Sequence, residues 1–216
     1  MSMCVEEMIS AQPMDSVILM GGCDKTVPAL LMGACSANIP SVLLVSGPMM
    51  TGRYKNERLG ACTDCRRFWS KYRANEIKKE EINIIEDNLA TTAGTCAIMG
   101  TASSMAIIAE TLGIMVPGTS CIPSVHSDRL RASEETGVIA STLAKNNELL
   151  PSNIITKKSF ENALRILLSI SGSTNAIIHL TAVARRLGIY ISLKEINKIS
   201  DETPVLVNLK PTGEGY

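Results

Sequence analysis

Aromatic residues are scarce in this chain: two Phe, four Tyr and one Trp, 3% of 216 residues. Nucleic-acid surfaces rely on aromatic stacking and clustered positive charge. The 21 basic and 21 acidic residues cancel, and no polybasic run occurs. No apolar stretch approaches the ~20 residues of a membrane-spanning helix. Neither nucleic acid nor a membrane is therefore an expected partner. The acidic first residues lack a signal- or transit-peptide pattern. Histidine is limited to His126 and His179. Cysteine is not scarce: Cys4, Cys23, Cys35, Cys62, Cys65, Cys96 and Cys121. An odd number of thiols spread along an apolar chain argues for a reduced, cytoplasmic protein rather than a disulfide frame. Cys35 and Cys121 read as small buried hydrophobes.

The apolar runs alternate between strand and helix lengths. Residues 3–12 read as the end of an amphipathic helix, 15–20 as a strand, 27–37 as a helix and 41–45 as a Val/Leu-rich strand. This is the order of a parallel sheet flanked by helices, an α/β fold. Gly47-Pro48 opens an expected loop to about residue 63. Polar helices are expected near 64–75 and 78–90, followed by a small-residue loop over 91–100. Ala102, Met105, Ala106, Ala109 and Leu112 form one face of a helix over 101–112. Residues 125–147 read as helical and 151–158 as a connector. Helices over 159–170 and 174–187 are separated by Ser171-Gly172-Ser173. Residues 205–209 read as a short strand, and 211–216 as a loop.

The chemistry concentrates in Gly21-Gly22-Cys23-Asp24-Lys25-Thr26-Val27-Pro28. A thiol, a carboxylate and an amine stand on consecutive residues between a strand and a helix. Open α/β sheets bind ligands at that place, and a helix N-terminus favours a thiolate. A soft donor beside a hard one points to two kinds of metal. The run lacks the G-x-x-x-x-G-K spacing of a phosphate-wrapping loop, which excludes a P-loop.

Residues 23–33, Cys-Asp-Lys-Thr-Val-Pro-Ala-Leu-Leu-Met-Gly, resemble the cysteine signature of the dihydroxy-acid and sugar-acid dehydratases, a family that includes phosphogluconate dehydratase. Gly94-Thr95-Cys96-Ala97-Ile98-Met99-Gly100-Thr101-Ala102-Ser103-Ser104-Met105 matches the same family, closest to its sugar-acid branch. Gly172-Ser173-Thr174-Asn175-Ala176-Ile177-Ile178-His179-Leu180 matches again, in the family's order. The resemblance implies that Cys23 and Cys96 are two of three iron–sulfur ligands. It implies that Asp24 and Lys25 belong to a magnesium (Mg2+) site, with Lys25 as a carbamate. A protonated lysine cannot bind a cation; a carbamate can. The implied reaction removes water from a 2,3-dihydroxy acid, giving a 2-keto-3-deoxy acid in the sugar-acid case. Both two-iron and four-iron clusters use thiolates, so the cluster type stays open.

Family members carry an upstream segment with a cluster cysteine and a magnesium-binding aspartate, and a second domain with the residue proposed as base. Residues 1–216 are thus expected to be an N-terminal domain truncated at both ends, inactive alone and prone to self-association. The full-length enzyme is expected to be a homo-oligomer. The alternatives are a branched-chain dihydroxy-acid dehydratase, or an inactive fragment that binds metal or a partner. Cys62-Thr63-Asp64-Cys65 departs from the family. It reads as incidental thiols, with a substitute cluster or zinc ligand as the other reading. His126 reads as a surface or loop residue. His179 lies one turn after Asn175, facing the site or satisfied in the core. Ser171 stands where the family often has glycine. Pro48-Met49-Met50 and Ile98-Met99 are the apolar stretches expected to face water.

Overall fold

The computed structural model describes residues 1–146 and 149–215. Its elements in chain order are α1 Ser2–Ser10, β1 Val17–Gly21, α2 Thr26–Ala37, β2 Ser41–Val45, β3 Gly52–Tyr54, β4 Glu57–Leu59, α3 Ala61–Arg73, α4 Lys79–Asp87 and α5 Thr101–Thr111. There follow α6 Ser127–Leu143, α7 Pro151–Ile154, α8 Lys157–Ser169, α9 Asn175–Arg186 and α10 Leu193–Glu202.

β1 and β2 form the expected parallel pair, with Val17 opposite Ser41 and Gly21 opposite Val45. Every β2 residue is buried, as a continuous Val/Leu run in a covered parallel strand should be. The Leu43 N–H also donates to Ile114 O at 2.7 Å, which ties the segment after α5 to β2.

α2 is the central helix. It buries Val27, Leu30, Leu31, Ala34 and Cys35, and packs against α1, α5 and α9. Pro28 is tolerated because it stands in the first turn. Asn38 ends the helix in the left-handed conformation, with φ 52°, a familiar C-terminal device. The core continues through the predicted face of α5 and through Phe160, Leu164, Leu180 and Val183. A fully buried Leu31 or Leu164 contributes ~1.5–3 kcal/mol.

Five readings are corrected. Residues 52–59 are not loop but an antiparallel hairpin, β3–β4. Its turn places Lys55 at φ 52°, and its strands are too short and polar to show alternation. Residues 193–202, unassigned from periodicity, form α10. Its Ser192–Glu195 capping box is the signal that would have found it. The connector over 151–158 holds α7 and the start of α8, capped by Thr156 and Ser159. Residues 205–208 form no strand, and Leu209 makes a single bridge to Gly215. The expected helix to residue 147 ends at Leu143; Asn147, like Tyr216, lies outside the described residues.

β3, β4, α3 and α4 enclose a separate small core of Leu59, Phe68, Ile82 and Ile85. Tyr54 packs edge-on to Phe68, with ring centroids 5.7 Å apart. No helix among the described residues is long and apolar enough to cross a membrane.

Candidate functional site

Three loops meet beyond the carboxyl ends of β1 and β2. Residues 22–25 leave β1, and residues 46–49 leave β2, where the Ser46 N–H donates to Gly21 O at 3.1 Å. Thr95 pairs with the second of these. Its N–H donates to Gly47 O at 2.9 Å, and Met49 N–H donates to Thr95 O at 2.9 Å. The contact between the first and third loops requires glycine. A Cβ on Gly22 would collide with Ser46 Oγ and stand 3.1 Å from Thr95 Cγ2. Gly94 takes φ 131°, and a Cβ there would press into the backbone of Pro48 and Met49. The residues immediately before Cys23 and Cys96 are therefore neighbours, although 73 positions separate the two cysteines in the sequence.

Cys23 is exposed, and its thiol donates to Asp24 Oδ1 at 3.2 Å. Asp24 Oδ2 lies 3.3 Å from Lys25 Nζ. The Cys23 hydrogen bond, followed by the Lys25 contacts, holds the Asp24 carboxyl below its usual range against partial burial. Lys25 Nζ also lies 3.4 Å from His179 Nε2. Burial and then the Lys25 charge push His179 below the ordinary imidazole value. A neutral ring with Nε2 as acceptor suits the ammonium donor. His179 thus lies at the site rather than in the core.

Cys96 is half-buried, and burial pushes its thiol pKa up. The backbone N–H groups of Ile98 and Ala97 act in the opposite direction, while the nearby Cys62 raises it further. Two amides aimed at one sulfur are suited to a thiolate ligand. Cys62 reaches this neighbourhood at the start of α3. There, buried Asp64 accepts from Gly60 N–H at 2.6 Å and Arg67 Nε at 3.0 Å. Asp64 also binds Lys210 Nζ at 3.5 Å, and Lys210 O accepts the Met99 N–H at 3.0 Å. The structural centre of the Cys62–Cys65 segment is therefore Asp64.

The third sequence block closes the site. Thr101 Oγ1 and Ser173 Oγ are 2.8 Å apart, Ser173 N–H donates to Ser104 Oγ at 2.9 Å, and Asn175 Nδ2 reaches Thr101 Oγ1 at 3.4 Å. A cleft of about 490 Å³ opens between the starts of α5 and α9, lined by Gly100, Thr101, Ser173, Thr174 and Thr212. Ser171 occupies a left-handed conformation, φ 54°, which explains why glycine suits this position.

The donors match the implied groups in kind: thiols for iron, a carboxylate for magnesium. Among the described residues, no three His, Cys, Asp or Glu side chains gather closely enough to hold an ion by themselves. Cys23, Asp24 and Lys25 are linked side chain to side chain, and their loop abuts the one that carries Cys96.

The other residues divide clearly. Cys35 is buried, with its thiol pushed up to about 12 by burial, but Cys121 is exposed. The loop preceding α6 carries Cys121 outward. His126 is an exposed cap whose Nδ1 accepts the Asp128 N–H at 3.1 Å. Ile98 is buried, whereas Met50 is exposed. Further apolar exposure lies on β1, at Ile18 and Met20. Sequence reasoning missed Arg129, a buried cation that stands between Asp128 and Arg131 in a charged stretch and carries no sequence signal of its burial.

The whole chain, residues 1–216, matches the family described as dihydroxy-acid/6-phosphogluconate dehydratase N-terminal. It is 43% identical over 213 residues to L-arabinonate dehydratase of Rhizobium leguminosarum bv. trifolii, covering 99% of this chain and 37% of that protein. It is 39% identical over 218 residues to dihydroxy-acid dehydratase of Caldicellulosiruptor saccharolyticus, covering 97% of this chain and 38% of the relative. The dihydroxy-acid dehydratase of Thermodesulfovibrio yellowstonii is 35% identical over 212 residues, covering 98% and 38%. The chain thus spans little more than a third of the length of the curated relatives it matches. With its three signature blocks folded onto one another at a sheet edge, the chain belongs to the dihydroxy-acid/6-phosphogluconate dehydratase family, in its N-terminal region.

Proposed function

We propose that this chain forms the metal-holding half of a hydro-lyase that dehydrates a sugar acid to a 2-keto-3-deoxy acid. The observation that carries this reading is the convergence of the three blocks: Gly22 against Thr95, Lys25 against His179, and Thr101 against Ser173. The 43% identity to an L-arabinonate dehydratase, against 39% and 35% for two dihydroxy-acid dehydratases, favours the sugar acid over a branched-chain acid.

Cys23 and Cys96 would hold an iron–sulfur cluster, and Asp24 with carbamylated Lys25 would hold magnesium. When bound, these groups supply electrophilic stabilisation to the departing C3 hydroxyl and to the charge left when the C2 proton leaves. The chain's own residues prepare the site. Ala97 and Ile98 amides favour the Cys96 thiolate. His179 orients the Lys25 side-chain nitrogen. The hydroxyls of Thr101, Ser173 and Thr174 line a cleft suited to a polyol. The base that takes the C2 proton is assigned outside residues 1–216, in the part of the relatives this chain does not match.

Anaerobic reconstitution with iron and sulfide tests the ligand assignment. Cys23→Ser and Cys96→Ser should each abolish the thiolate-to-iron absorption. Retention of the band in both would overturn it. Assays of the full-length protein on L-arabinonate and on a branched 2,3-dihydroxy acid would then decide the substrate class, with keto-acid formation as readout.

A further inference from the structure

We propose that Arg129 forms a binding site for a small oxyanion, a carboxylate or phosphate, at the carboxyl ends of β1 and β2. Arg129 lies in the first turn of α6 and is only 6% exposed. Its Nη2 donates to Thr119 O at 2.8 Å and to Ile122 O at 2.5 Å, clamping the loop before α6. Its Nε and Nη1 are buried and have no hydrogen-bond partner among the described residues. A guanidinium cannot shed its proton to escape this position. A buried charge without a counter-ion costs several kcal/mol, and two orphaned donors add to that cost.

No carboxylate of the described residues pairs with Arg129. Asp128, its neighbour on α6, pairs with Arg131 and His126. Burial pushes the Arg129 pKa down, and the one group acting the other way is the Cys121 thiol.

Arg129 forms part of the wall of a cavity of about 330 Å³ shared with Gly22, Leu44, Ser46, Ser124 and Ser133. That volume accommodates a carboxylate or phosphate group. Ser46 and Ser124 offer hydroxyl donors, Ser133 Oγ donates to Arg129 O at 2.8 Å, and no acidic side chain lines the cavity to repel an anion. Gly22 places it beside Cys23, at the strand ends where α/β sheets receive ligands. The site is distinct from the hydroxyl-lined cleft between α5 and α9.

The test is an NMR titration of the Arg129 Nε–H resonance in the 216-residue chain without iron. Ionic strength is held constant with chloride. One arm uses inorganic phosphate and the other L-arabinonate. The site predicts a saturable shift and a rise in melting midpoint in at least one arm. Response to L-arabinonate identifies the carboxylate of the acid as the ligand; response to phosphate alone identifies phosphate. Ser133→Asp would supply a carboxylate from within, raising the midpoint and abolishing both responses. Arg129→Lys, which loses the fork, should weaken binding about tenfold. An unmoved Nε–H in both arms, an equal response to chloride, or a full response in Ser133→Asp would overturn the assignment. Because the titration uses no iron, its outcome is independent of the cluster reconstitution.

Discussion

The two cores of this molecule are held by different means. The larger, around α2, β1, β2, α5, α8 and α9, is aliphatic, with Phe160 as its one buried aromatic. The smaller, under the β3–β4 hairpin, has only four buried hydrophobic residues and is completed by Tyr54, Trp69 and Tyr72. Four of the chain's seven aromatics therefore serve a unit of about 36 residues. Polar contacts reinforce them. Tyr54 OH donates to Glu81 at 2.6 Å, Trp69 Nε1 to Glu86 at 3.0 Å, and Arg67 bridges Glu57 and Asp64. Shape and hydrogen bonding in the small unit substitute for the buried area that the large core supplies.

The largest effect should come from the large core. Phe160→Ala removes a side chain with no exposed surface, at a cost of ~3–5 kcal/mol. Circular dichroism should show one cooperative transition moved to lower temperature. An unchanged midpoint would mean that this core does not govern folding.

Phe68→Ala removes a comparable group from the small core, but its consequence should be local. Trp69, the chain's single tryptophan, reports on that unit alone. Its fluorescence should change at a lower temperature than the helical signal, with early hydrogen exchange over residues 52–87. Coincident transitions would show that the two cores unfold as one.

The same contrast separates what could be read in the sequence from what could not. α2, α5 and α9 were legible because their apolar faces repeat at helical spacing against a continuous core. The signature blocks placed Cys23, Asp24, Lys25 and Cys96, and the fold brings their loops to one edge. The hairpin was not legible, since its strands are three residues long and owe their existence to Phe68 and Ile82. α10 escaped because its apolar positions are few, although its capping box was in view. Arg129 could not be found, because neither its burial nor its orphaned donors leave a trace in sequence pattern.

A smaller effect sharpens the comparison from the side of the large core. Ser171 is held at φ 54°, where a side chain costs ~1 kcal/mol or more. Its hydroxyl recovers part of this by donating to Val207 O at 2.8 Å. Ser171→Gly should therefore raise stability by only ~0.5–1 kcal/mol. Denaturant midpoints would measure it, and a loss of stability would mean that the Val207 hydrogen bond outweighs the strain.

The smallest effect concerns acid, and it separates the two units by their carboxylates. Tyr54, then Lys55, hold the Glu81 carboxyl down to about 2 in the small unit. Lys157 and the Ser192 cap hold Glu195 equally low in the large one. An unfolded glutamate titrates near ~4.3. Each depressed group therefore contributes stability that is present above pH ~4.3 and lost as pH falls through about 2. Both are only half-buried and reach solvent, so salt should reduce the effect. Glu81→Gln should flatten the pH dependence of the Trp69 signal in that window while leaving the helical signal's dependence intact. Glu195→Gln should do the reverse, because it loosens α10 against α8 without touching the hairpin. If either substitution flattened both signals equally, the two cores would be coupled through acid-sensitive contacts, and their separation would fail.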